Sequence, residues 1–182
     1  MTRRCLLGLT IALLLAGSVA FAQDHGRTVK SEFTFGWTGA PFGPCGDGVI
    51  LNSAEIMITE IARFDQDGTL VQSVLNIRTL GSSIYYLAES PENPEPLNDK
   101  VVMGVPGEMQ TERLVFAENR AYIQGSIFQA TVPGYGRIFS ETGHTVFDVH
   151  SWTPTDWAPL SSTGHNDFAD GDLAALCAYL SQ

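Results

Sequence analysis

Apolar and polar residues alternate along most of this chain with a period of two. Phe33, Phe35 and Trp37 interleave with Glu32, Thr34, Gly36 and Thr38, which predicts a half-buried strand with one aromatic face. Over residues 49–64, Ala54, Ile56, Ile58 and Ala62 share one face, and Glu55, Thr59 and Arg63 share the other. Asn52 followed by Glu55 resembles a helix capping box, but the β-branched content and the turn that follows favour a strand. Asp65-Gln66-Asp67-Gly68 reads as a hairpin turn into a strand over 69–79, where Val71, Leu75 and Ile77 oppose Gln72, Asn76 and Arg78. Residues 82–88, 101–105, 108–116, 121–131, 137–140 and 145–151 give further short strands, broken by turns at Glu118-Asn119, Pro133-Gly134-Tyr135-Gly136 and Thr142-Gly143.

Two stretches lack the alternation. Residues 89–100 hold three prolines and several acids and read as an exposed loop. Residues 152–168 are irregular, aromatic and polar. Near the C-terminus the period changes: Leu173, Leu176, Cys177 and Leu180 lie at i, i+3, i+4 and i+7, the stripe of a short amphipathic helix that Asp170 or Asp172 can cap. About eight short strands with one helix predict an all-β domain, an antiparallel sheet folded as a sandwich or closed as a barrel. A single antiparallel β-barrel of about eight strands with a short C-terminal helix is the expectation, because closure removes free strand edges.

The first residues have a different character. Arg3 and Arg4 precede a nearly continuous apolar run over 5–21, and Ala20-Phe21-Ala22 forms a small-x-small cleavage site. Residues 1–22 are therefore expected to be a cleaved signal peptide rather than an anchor. Thr2-Arg3-Arg4 hints at a twin-arginine route, while the greasy core favours the general secretory one. The protein is then secreted or periplasmic, with residues 23–182 forming one domain of 160 residues. Such a length buries about 70% of the unfolded surface. The mature chain keeps 8 basic residues against 20 acidic ones, a formal charge of −12. That balance argues against nucleic acid and, after cleavage, against anionic membrane surfaces as partners. Oligomeric state is not legible.

Export leaves two cysteines, Cys45 and Cys177. A disulfide between them is expected in an oxidising compartment. It closes a loop of 132 positions, worth about 4–5 kcal/mol by chain entropy.

Several features resemble a group of small exported bacterial proteins of undefined activity. They are the Pro44-Cys45 turn before a long strand, the Pro133-Gly134-Tyr135-Gly136 turn leading to Phe139, Thr142-Gly143 and Phe147-Asp148, and the Leu173-Ala174-Ala175-Leu176-Cys177 helix. The barrel of that group is similar to those of allene oxide cyclases and dirigent proteins. The resemblance implies a fold; no position lines up with the catalytic residues of the cyclases.

Candidate chemistry is sparse. His144, His150 and His165 with Asp148 or Asp167 have the ligand types zinc uses, but their spacing matches no metal signature, so no metal and no cofactor are expected. Asp65, Asp67 and Gly68 resemble a calcium-loop opening, yet position twelve is Asn76 rather than Glu. Ser161, Ser162, His165 and Asp167 are too nearly contiguous for a triad. Glu55, Glu60 and Glu112 fall on strands, as do Arg63, Arg78 and Arg113, and either pair across the surface or place a carboxylate inside. The leading expectation is a binding module for a small, mainly apolar molecule, with Phe33, Phe35, Trp37, Tyr85, Tyr122 and Phe128 as candidate ligand-binding residues and Tyr86 and Phe139 in the same aromatic set. A cyclase- or isomerase-like enzyme using a buried carboxylate is the first alternative. A structural or interaction protein with a solid core, offering 89–100 and 152–168 to a partner, is the second.

Overall fold

A computed structural model describes residues 26–150, 157–167 and 172–182. The expected signal segment 1–22, the capping candidate Asp170 and Trp152 of the stretch expected to be irregular lie outside these residues. The described chain is one antiparallel sheet of nine strands and one short helix. The strands are β1 (Thr28–Cys45), β2 (Gly48–Phe64), β3 (Leu70–Thr79), β4 (Ile84–Ala88), β5 (Pro96–Met103), β6 (Met109–Val115), β7 (Arg120–Val132), β8 (Gly136–Val149) and β9 (Trp157–Asn166); the helix α1 is Ala174–Leu180.

The topology is a meander of long, bent strands. β3 and β4 both pair with the same edge of β2, β3 with residues 56–64 and β4 with residues 49–53. They act as one strand interrupted at 80–83. β5 and β6 continue the next row in the same way, and Gly104 bridges to Ala130 of β7 beside them. β7, β8 and β9 complete the sheet. The all-β class and the antiparallel sheet agree with the sequence reading, but the sheet is not closed. Among the described residues β1 pairs only with β2 and β9 only with β8, so β1 and β9 remain as edges.

Closure fails because the two ends of the sheet differ. At one end the sheet rolls until β1 meets β8 through side chains: the ring of Phe42 lies 5.1 Å from that of Phe139 and 5.0 Å from that of Tyr85. Ile50, Leu87, Val102, Val132, Ile138, Leu176 and Leu180 fill the space around them, with α1 as the cover. The disulfide Cys45–Cys177, with Cα atoms 5.4 Å apart, ties the end of β1 to that helix. Gly43 lets them meet, since a Cβ there would stand 2.1 Å from Leu173 Cδ1. At the other end the sheet is seven strands wide, and a smaller buried cluster of Ile56, Ile58 and Ile77 is covered by Trp37, Leu75 and Phe128. We call these the packed end and the open half.

Local chemistry explains the joints. Asp65 Oδ1 accepts the amides of Asp67 and Thr69, which makes the Asp65–Gly68 segment a turn closed by its own side chain rather than a cation loop. Glu108 accepts the amides of Phe128 and Gln129, where β7 shifts register and Phe128 takes a φ of 63°. Its carboxylate satisfies donors that the bulge leaves without strand partners. A row of glycines, Gly125, Gly143 and Gly164, runs directly across β7, β8 and β9. A Cβ on Gly143 would lie 2.0 Å from the Thr163 carbonyl oxygen, so the strands approach there more closely than side chains allow.

Three expectations change. Residues 142–143 do not break β8, which runs unbroken from Gly136 to Val149. Within the stretch expected to be irregular, Trp157–Asn166 forms β9. Likewise the loop expected over 89–100 ends at Pro96, where β5 begins.

Candidate functional site

Strand register sorts every candidate side chain onto one of two faces. Phe33 pairs with Ile58, Ile58 with Ile77, Ile77 with Gln110 and Gln110 with Gly125. Facing pairs share a side, so these residues define the inner face. Phe35 and Trp37 belong to it, two and four positions along β1. Phe33 and Phe35 are 37% and 43% exposed, because no strand beyond β1 covers them among the described residues. The Phe35 and Trp37 rings stand 5.9 Å apart. Trp37 Nε1 donates to Asn52 Oδ1 at 2.8 Å, and the buried Asn52 donates in turn to the Ile84 carbonyl. The indole is thereby held in one orientation above the Ile56, Ile58 and Ile77 floor.

Two carboxylates share this face. Glu60, buried, accepts from Ser73 Oγ at 2.8 Å and from Ser31 Oγ at 3.4 Å. Glu112 accepts from Gln110 Nε2 at 2.7 Å. Burial raises the Glu112 carboxyl above its ordinary range, and the Gln110 hydrogen bond only partly opposes it. Glu55, the third carboxylate considered, is exposed on the opposite face. Farther along the inner face, Gln110, Ile123, Gly125, Gly143 and Thr145 border a recess of about 20 Å³, room for one water molecule.

The other candidates disperse. Tyr85 is fully buried in the packed end, where burial and, secondarily, the Glu108 charge push its hydroxyl well above the ordinary tyrosine range, with the Ser83 hydroxyl pulling the other way. Phe128 packs between both clusters, with its ring 5.7 Å from Phe42. Tyr122 pairs with Arg113 and lies on the outer face. His144 and His165 are also on that face, paired with Gln124 and Thr142. Among the described residues no three His, Cys, Asp or Glu side chains converge as a metal site. Ser161 and Ser162 fall on opposite faces of β9, and Asp167 accepts the Ser140 amide.

The structure therefore gathers Phe33, Phe35 and Trp37 with Glu60 and Glu112. It adds Gln110, Ser31 and Ser73, which the sequence reading missed. The missed signal is that Gln110 and Glu112 share the parity of Leu114, so the polar pair occupies a core-facing row. A structural cystine of this kind suits an oxidising, non-cytoplasmic compartment. No helix among the described residues is long and apolar enough to cross a membrane. Comparison with protein-family models, curated proteins and solved structures finds no match to the chain.

Proposed function

We propose that this is a secreted or periplasmic protein that binds a small, mainly apolar molecule along the open half of its inner face. The observation that carries the reading is the joining of two half-exposed phenylalanines and an anchored tryptophan to a face holding two inward-turned carboxylates. An apolar body laid over Phe33 and Phe35 removes exposed apolar surface from water, worth about 25 cal/mol per Å². Glu60 and Glu112 then favour a ligand whose polar end donates hydrogen bonds to the lone pairs that Ser31, Ser73 and Gln110 leave over. The packed end supplies rigidity and is filled by its own side chains.

Titration of the protein with a panel of apolar amines and alcohols, followed by calorimetry and thermal shift, tests this. Saturable binding that Phe35→Ala and Trp37→Ala weaken, with folding preserved by circular dichroism, is the expected result. Equal responses from the wild type and both variants would remove β1 from the site.

Glu112 favours one second reading. A carboxyl raised by burial in an apolar row is suited to general acid–base work, as the isomerase-like alternative requires. Under that reading Glu112→Gln keeps ligand binding and loses turnover.

A further inference from the structure

The outer face carries a second concavity, opposite in character to the aromatic face. Val74, Thr111, Arg113, Tyr122, Gln124 and His144 border a surface cleft of about 300 Å³ on β3, β6, β7 and β8. Their placement follows from parity. Arg113 pairs with Val74 on one side and Tyr122 on the other, and Gln124 pairs with both Thr111 and His144. The Arg113 guanidinium lies over the Tyr122 ring, 4.3 Å from its centre, in cation–π contact. Tyr122 is itself fixed by donating its hydroxyl to Glu118 at 3.1 Å. Thr111 donates to Asn76, which leaves its oxygen free to accept.

Charge distribution sets this cleft apart. The mature chain has 12 more acidic than basic residues. The outer face of the open half, over β2, β3, β6, β7 and β8, nevertheless carries Arg63, Arg78, Arg113 and Arg120 against Glu55 and Asp148. Arg120 is spent on Asp148, and that is the one ion pair among the described residues. Arg113 thus presents a stacked, oriented guanidinium without a carboxylate partner, in a cleft otherwise lined by a hydroxyl, an amide and an imidazole. A planar fork of this kind matches a carboxylate through two parallel hydrogen bonds. Thr111, Gln124 and His144 offer donors and acceptors suited to ligand hydroxyl groups. At ordinary salt the acidic remainder of the molecule is screened beyond about 10 Å, so the charges that act on the cleft are those beside it, Arg113 and the Glu118 carboxylate that the Tyr122 hydroxyl engages.

We propose that this outer cleft binds a small polyhydroxylated carboxylate, an acidic sugar in type, with Arg113 engaging the carboxylate and Thr111, Gln124 and His144 the hydroxyls. It is a site separate from the inner face, and neither requires the other.

Calorimetric titration of the disulfide-bonded protein with glucuronate, glucose and inorganic phosphate tests it. Glucuronate should bind saturably and glucose should not. Arg113→Lys keeps the charge but loses the fork, and it should weaken binding about tenfold or more, with an unchanged circular dichroism spectrum. Gln124→Ala should weaken glucuronate binding severalfold. Failure of glucuronate to bind overturns the proposal. So does affinity unchanged in Arg113→Lys, or phosphate binding as tight as glucuronate.

Discussion

Leu75 pairs with Glu60 across β2–β3 and with Glu112 across β3–β6, so the two carboxylates stand on the same face on either side of one leucine. Two strand spacings put their backbones about 10 Å apart. They are solvated differently by the protein. Glu60 has two serine hydroxyls, whereas Glu112 has one amide donor.

Burial of Glu112 sets a pH dependence. Glu112 is raised above its ordinary value of 4.5, chiefly by burial, and Glu108 is raised in the same direction for the same reason. Below 4.5 both groups are protonated in folded and unfolded chains alike. As pH rises above it, the unfolded chain releases protons that the fold retains. Stability should therefore fall with rising pH until the carboxyls ionise in the fold as well. Glu112→Gln should flatten this slope and raise the melting temperature at neutral pH. Melting curves between pH 4 and 8 check it, and a slope unaltered by the substitution would rule out Glu112 as its source.

Glu108 has a structural task at the β7 bulge. Replacing it with Ala strands the amides of Phe128 and Gln129. The expected cost is about 1–3 kcal/mol for each donor left without a partner. Hydrogen exchange should quicken at these two amides ahead of the rest of β7, and urea melts should show the loss.

Breaking the Cys45–Cys177 bond by reduction, or with the double serine variant, should cost about 4–5 kcal/mol by the chain-entropy relation for a loop of 132 residues. Leu176 and Leu180 would then depend on packing alone. The midpoint of urea unfolding with and without reductant measures the effect. A midpoint indifferent to reductant would mean that the helix is held without the bond.

Gly143→Ala places a Cβ against the Thr163 carbonyl oxygen, a backbone atom that cannot swing aside. We expect β9 to lose its pairing with β8 while β1 and β2 hold theirs. Exchange mass spectrometry should find protection lost over Trp157–Asn166, with peptides from Gly48–Phe64 unchanged.

The parts of the fold that were legible are those buried on one face. β2 and β3 alternate cleanly because each packs one side on the Ile56, Ile58 and Ile77 cluster. β9 was not legible because it is an edge strand exposed on nearly all of its length; Leu160 is 54% exposed, so no period-two signal is imposed on its sequence. The aromatic set shows a different limit. Phe33, Tyr85 and Tyr122 look equivalent as residues, yet pairing register sends one to the open inner face, one to the packed core and one to the outer face. Bulges between Trp37 and Ala40 and between Ile127 and Ala130 reset the alternation partway along a strand, and one displaced residue exchanges the faces. The same parity separates Glu112 from Arg113, and so divides the segment Gln110-Thr111-Glu112-Arg113 between two candidate sites.

The seam between β1 and α1 also governs the order in which the molecule can be finished. Phe42 gains its cover only when Leu176 and Leu180 arrive, well over a hundred residues later in the chain. A chain emerging vectorially carries this apolar surface without the helix over it until those residues follow. Contacts so distant in sequence form late, and oxidation of the cysteine pair then acts as a latch on an assembly that has already closed.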